Sequence, residues 1–136
     1  MLETEMKNGL KKLLQFQPIQ IVDIETGGTE VGVADLAIRT DKLDIWMESK
    51  EIKRWPVRED TKIIPAYRPG QYRFLRDYQR LNGVSVLSMT YKDMWFMVTN
   101  IKKEYTKDEL AYYSFVPMDL LEQDPRFVMK LFNNLK

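Results

Sequence analysis

The sequence predicts an α/β (α+β) domain, a mixed β-sheet flanked by helices. Three observations predict it. The apolar spacing alternates between helical and extended periods, giving the order helix, three strands, helix, two strands, helical tail. The 136 residues, 44% of them apolar, suffice for one core and leave little room for a second. Gly, Pro and Asn turn signals separate the segments, with no internal repeat or low-complexity tract.

Residues 2–15 carry Leu2, Met6, Leu10 and Leu13 near one face of a helix. Gly9 is its weakest position, and Pro18 closes it. Residues 19–25 (IQIVDIE) read as a strand, and Gly27-Gly28 turns the chain. Two strands follow, about 34–39 (ADLAIR) and 43–50 (LDIWMESK), with Asp41-Lys42 at the hairpin end. In the second, Leu43, Ile45 and Met47 share one face, and Asp44, Trp46, Glu48 and Lys50 share the other. Residues 51–67 form a long connection with two prolines, two aromatics and four basic residues. Connections of that length are functional or mobile. A helix begins near Pro69, with Tyr72, Leu75, Tyr78 and Leu81 apolar and Arg73, Arg76 and Arg80 as a basic stripe. Asn82-Gly83 ends it. Strands at 84–90 and 94–100 meet at Lys92-Asp93. Helical pieces are expected at 106–113 and 117–123, and a last helix from Asp124-Pro125, capped by Asp124 and lined by Phe127, Leu131 and Leu135. The chain thus reads as one domain over 1–136, with a core of about 2–100 and a helical extension of about 104–136.

Composition narrows the chemistry. With no Cys, disulfides, thiolate metal sites and Cys nucleophiles are excluded. With no His, imidazole bases, His-ligated zinc and the Ser-His-Asp arrangement are excluded as well. Catalysis would have to run on carboxylates, Lys, Tyr or an oxygen-bound metal. The net charge of +1 excludes a polybasic coat and an acidic solvating tail, but it is a cancellation. Residues 1–49 hold 5 basic and 9 acidic side chains, residues 50–80 hold 9 and 4, and residues 81–136 hold 7 of each. No apolar run approaches the roughly 20 residues of a membrane span, and the start, MLETEMKNGLKK, lacks a signal-type stretch. A soluble, cytoplasmic protein without a membrane partner is expected. Neither GxxxxGK[ST] nor GxGxxG occurs, which removes the main support for a nucleotide fold.

The pattern that carries chemistry is Asp35 followed by Glu48-Ser49-Lys50. Paired as a hairpin, these strands bring two carboxylates and an amine together. Two carboxylates and a backbone carbonyl suit Mg²⁺, which neutralises charge growing on a phosphoryl oxygen. Taken alone, the residues read as an ordinary strand surface with a weak Glu48–Lys50 pair.

The stretch GVADLAIRTDKLDIWMESKE resembles the PD-(D/E)XK nuclease superfamily, with Asp35 as first acidic residue, Glu48 as second and Lys50 as the lysine. KRWP (53–56) and RPGQ (68–71) resemble the phage branch of the VRR-NUC family, where an aromatic-Pro step follows the lysine and Arg-Pro-x-Gln opens a helix. The resemblance covers about residues 2–100; it departs at Ala34, where the family carries Pro. It implies a restriction-endonuclease-like core and Mg²⁺- or Mn²⁺-dependent hydrolysis of DNA phosphodiester bonds, general or selective for branched or junction DNA, as in Holliday-junction resolvases. Asp35, Glu48 and the backbone carbonyl of Ser49 would ligate the metal. Lys50 would position or activate the attacking water. Gln71 would orient the lysine or a phosphate, or is a plain helix-start polar residue. Relatives add an acid from the first helix, for which Glu5 and then Glu3 are candidates, with Glu25 a third; each is equally a plain acid, Glu3 and Glu5 as first-turn acids favourable to the helix dipole.

Lys53, Arg54, Trp55, Arg58, Arg68, Arg73, Arg76 and Arg80 are the expected DNA-binding set. For the helix stripe the other reading is a solvated face, and for Trp46 and Trp55 it is aromatic packing. Junction resolvases of the superfamily act as dimers, so a homodimer is expected. Phe127, Leu131, Phe132 and Leu135 offer apolar surface for it, or else cover the protein's own sheet. The alternative to an enzyme is a non-catalytic DNA- or protein-binding module on the same fold.

Overall fold

The computed structural model describes residues 3–24, 34–117 and 124–135. The chain runs α1 (Glu3–Leu13), β1 (Ile19–Asp23), β2 (Leu36–Thr40), β3 (Asp44–Glu51), α2 (Gln71–Arg80), β4 (Val84–Tyr91), β5 (Met94–Val98), α3 (Lys107–Tyr112), β6 (Ser114–Pro117) and α4 (Pro125–Asn133). The strands form a six-stranded sheet in the order β1-β2-β3-β4-β5-β6. Neighbours are antiparallel except β3 and β4, which run parallel because α2 carries the chain across between them. The sheet is therefore mixed, as expected.

Burial follows from that order. β3 and β4 are central, and every residue of β4 from Val84 to Thr90 is buried. One sheet face packs Leu36, Ile38, Ile45, Met47, Val86 and Trp95 against Met6, Leu10 and Leu14 around α1, and against Val128, Met129 and Phe132 of α4. The other packs Leu87, Met89, Phe96 and Val98 against Leu75 of α2 and Leu110 of α3. The result is helices on both faces of one sheet, with an apolar cluster on each face.

Two expectations change. Ser114–Pro117 is a strand, paired antiparallel with Met94–Met97, so the C-terminal part completes the sheet and is not wholly helical. Residues 118–123, most of the helical piece expected at 117–123, lie outside the described residues. The helix expected near Pro69 starts at Gln71, with Gly70 as N-cap at φ 87°, a left-handed backbone that favours glycine. Asp124 caps α4 as expected, its carboxylate accepting from the Arg126 and Phe127 N–H groups. Phe132 and Leu135 are buried in the protein's own core, with Leu131 packed against it. Most of the apolar face of α4 is thus used within the chain, while Phe127 stays exposed. Among the described residues no helix is long and apolar enough to cross a membrane.

Candidate active site

Strand alternation puts Glu48 and Lys50 on the α2 face of β3, together with Trp46, whose ring meets Phe74 and Tyr78 edge-on. Asp35 immediately precedes β2, and β2 and β3 pair up to Leu36–Met47. That register sets Asp35 beside Glu48. The two residues brace each other: Asp35 N–H donates to Glu48 Oε1 at 3.1 Å, and Ser49 N–H donates to Asp35 Oδ2 at 3.2 Å. Asp35 is 4% exposed and Glu48 1%, so both carboxylates are held inside the protein. Buried acids persist only when paired, hydrogen-bonded or metal-bound. Here Lys50 Nζ lies 3.2 Å from Glu48 Oε2, and Arg68 Nη2 lies 3.5 Å from Asp35 Oδ1.

Burial, and after it the neighbouring Asp35, raise the Glu48 carboxyl to about 7 against the opposing pull of Lys50 and Arg68. The pair is a concentration of negative charge that extra cations stabilise. In an extended strand a residue's N–H and C=O point to the same side. The Ser49 carbonyl therefore faces Asp35, beyond the last β2–β3 pair. Two carboxylates and one carbonyl are the hard oxygen donors that Mg²⁺ or Mn²⁺ takes, with open positions left over. The residues present fit such an ion. Among the described residues no group of three or more acidic side chains converges. Glu5 is exposed beside the buried Met6 and is not part of such a group. Glu25 lies outside the described residues, as does the side chain of Glu3.

Gln71 is buried at the first position of α2. Its Oε1 accepts from the Arg68 N–H at 2.8 Å, which leaves Nε2 as a buried donor with no partner among the described residues. The Ser49 hydroxyl is likewise buried without one; alternation puts it on the sheet face opposite Glu48. Tyr67, which the sequence reading passed over, stands among these groups. Its hydroxyl donates to the Lys102 carbonyl at 2.8 Å and its ring packs edge-on against Tyr72. Burial pushes the Tyr67 hydroxyl far up, with Tyr105 next in effect and Tyr72 and Glu48 adding, so it stays a neutral donor. Its one local signal was its place before Arg68, since the partners at 102 and 105 are remote in sequence.

The basic residues divide by place. Lys53, Arg54 and Arg58 are exposed on the connection leaving β3 just after Lys50. That connection is anchored by Trp55 stacked on Phe96, by an Ile63–Tyr105 bridge, and by Lys107 Nζ donating to the Val57 carbonyl. The α2 stripe runs away from Gln71, so Arg80 stands roughly 13 Å further along the helix. Arg73 and Arg80 pair with Asp77, and Arg76 donates to the Ile101 carbonyl. Arg68 alone of the set is brought to the carboxylates.

No protein-family model and no curated protein matches the chain. Among solved structures it is similar to Hjc, a Holliday junction resolvase from the archaeal hyperthermophile Archaeoglobus fulgidus. The match has a TM-score of 0.54 and 9% sequence identity, and covers 80% of this chain and 90% of that one. At that identity the likeness is one of fold. The fold of this chain is restriction-endonuclease-like.

Proposed function

We propose that the chain is a divalent-metal-dependent nuclease that hydrolyses DNA phosphodiester bonds and prefers branched or junction DNA. The observation that carries the proposal is the buried, mutually braced Asp35–Glu48 pair with Lys50 against it. A fold shared with a Holliday junction resolvase supports the choice of substrate. We further place the chain in the phage branch of the VRR-NUC family, on KRWP and RPGQ.

Asp35, Glu48 and the Ser49 carbonyl would hold Mg²⁺ or Mn²⁺. The ion supplies Lewis-acid stabilisation of charge on the phosphoryl group. Lys50, held by Glu48, orients the attacking water and offsets developing negative charge. Gln71 Nε2 offers a donor to a phosphate oxygen. Lys53, Arg54 and Arg58 carry the DNA backbone past the site, Trp55 stiffens that loop, and Arg73 extends the cationic track. Arg76 and Arg80, further along α2, serve a longer duplex arm. A homodimer would present two such sites to the arms of a junction.

A non-catalytic binding module is the second reading. It is favoured by the partial neutralisation of the carboxylates by Lys50 and Arg68. The test is incubation with supercoiled, linear and four-way-junction DNA, with and without Mg²⁺ or Mn²⁺. Metal-dependent cutting, fastest on the junction, is expected. Salt-sensitive binding to all three with no cutting would replace the enzyme by the module.

A further inference from the structure

Lys50 and Arg68, each paired with one of the carboxylates, are held very differently. The Lys50 side chain is 10% exposed and its partner Glu48 2%. The Arg68 side chain is 49% exposed, against 5% for Asp35. Arg68's backbone is fixed to the start of α2, since its N–H donates to Gln71 Oε1 and its carbonyl accepts from the Gln71 N–H at 3.0 Å. Its guanidinium reaches Asp35 from the solvent side at 3.5 Å, a long ion pair of the half-exposed, weak kind. The backbone is held independently of that ion pair. A guanidinium released from the pair, beside a nuclease site, is suited to grip a phosphate through its planar fork.

We propose that Arg68 gates the metal site. With no DNA bound, its guanidinium occupies Asp35 and competes with a divalent ion for that carboxylate. On DNA, Arg68 turns to a phosphate and no longer competes with the ion at Asp35. The inference rests on reading Asp35 and Glu48 as metal ligands. By linkage, DNA that captures Arg68 tightens metal binding, and metal tightens DNA binding by the same factor. The site would then load its ion preferentially on substrate.

The test is calorimetric titration of the full-length chain with Mn²⁺ alone, for the parent, Arg68→Ala and Arg68→Lys. The exposed position makes both variants compatible with the fold, and neither removes the Arg68 N–H used by Gln71. Arg68→Ala is expected to bind Mn²⁺ roughly fivefold more tightly than the parent. Arg68→Lys keeps the charge and is expected to bind as the parent does. In a companion binding assay on four-way-junction DNA, Ca²⁺ should strengthen binding of the parent more than of Arg68→Ala. Equal or weaker Mn²⁺ binding by Arg68→Ala overturns the gate, as does an equal gain in Arg68→Lys. If the parent still cuts DNA with Mn²⁺ under those outcomes, the nuclease reading survives. If the parent binds no Mn²⁺ and cuts nothing, both readings fall.

Discussion

Each carboxylate at the centre of the site accepts a backbone N–H from the neighbouring strand region, Glu48 from Asp35 and Asp35 from Ser49. The brace fixes their orientation before any ligand arrives, at the cost of burying charge. That cost is measurable. The Glu48 carboxyl titrates near 4.5 when unperturbed and is pushed up to about 7 in the folded chain. Its contribution to stability is therefore complete below about pH 4.5 and is lost as pH rises through about 7. Gln is neutral throughout. Glu48→Gln should match the parent near pH 4.5 and exceed it at pH 8 by at most about 3 kcal/mol in urea melts. Parity at pH 8 would refute the strain assigned to Glu48. That Asp35 and Glu48 meet was legible in the sequence because a short hairpin sets the register of the strands that carry them, and the resemblance singled them out with Lys50. The Arg68–Asp35 pair was not, because it spans the long connection between β3 and α2.

The elements that hold the site are β3, the connection after it and the start of α2. Gly70 lets the chain enter α2 with Gln71 and Arg68 locked together, through a left-handed backbone at φ 87°. Gly70→Ala should cost about 1 kcal/mol in a thermal melt and slow cleavage, with Gly70→Asn milder because Asn tolerates that region. An Ala variant as stable as the parent would mean that the turn carries no strain. The connection is pinned by Tyr105, whose buried hydroxyl accepts from Lys102 N–H and donates to the Asn100 carbonyl, both at 2.8 Å. Tyr105→Phe strands those backbone groups, so a loss of roughly 1–3 kcal/mol is expected, with faster proteolysis within residues 52–66. Periodicity and turn residues predicted the helix and strand positions of the core. They missed β6 because four residues are too few to display a period, and its pairing with β5 is not a local property. Pro69 looked like a helix start, but the left-handed Gly70 places the first helical residue two positions later.

The molecule as a whole is one sheet covered on both faces, and its last helix belongs to the core. Phe132 is fully buried beside Trp95. Phe132→Ala should therefore cost about 3–5 kcal/mol in denaturant unfolding; a loss under about 1 kcal/mol would make α4 an appendage. The apolar residues of α4 had two readings in sequence, because amphipathic spacing alone does not say which surface is covered. The near-zero net charge similarly hid a division that the fold makes spatial. Buried Asp35 and Glu48 sit at β2 and β3, and exposed Lys53, Arg54 and Arg58 sit on the connection that leaves β3 just after Lys50. We propose that this division serves metal-dependent DNA hydrolysis. The most direct measurement is the initial rate of four-way-junction cleavage in Mg²⁺ for the parent, Asp35→Asn and Lys50→Ala. The parent should cut only with the metal, and both variants should lose at least roughly a hundredfold while staying folded. Cleavage by the variants at the parent's rate, or equal cleavage in EDTA, would contradict the account.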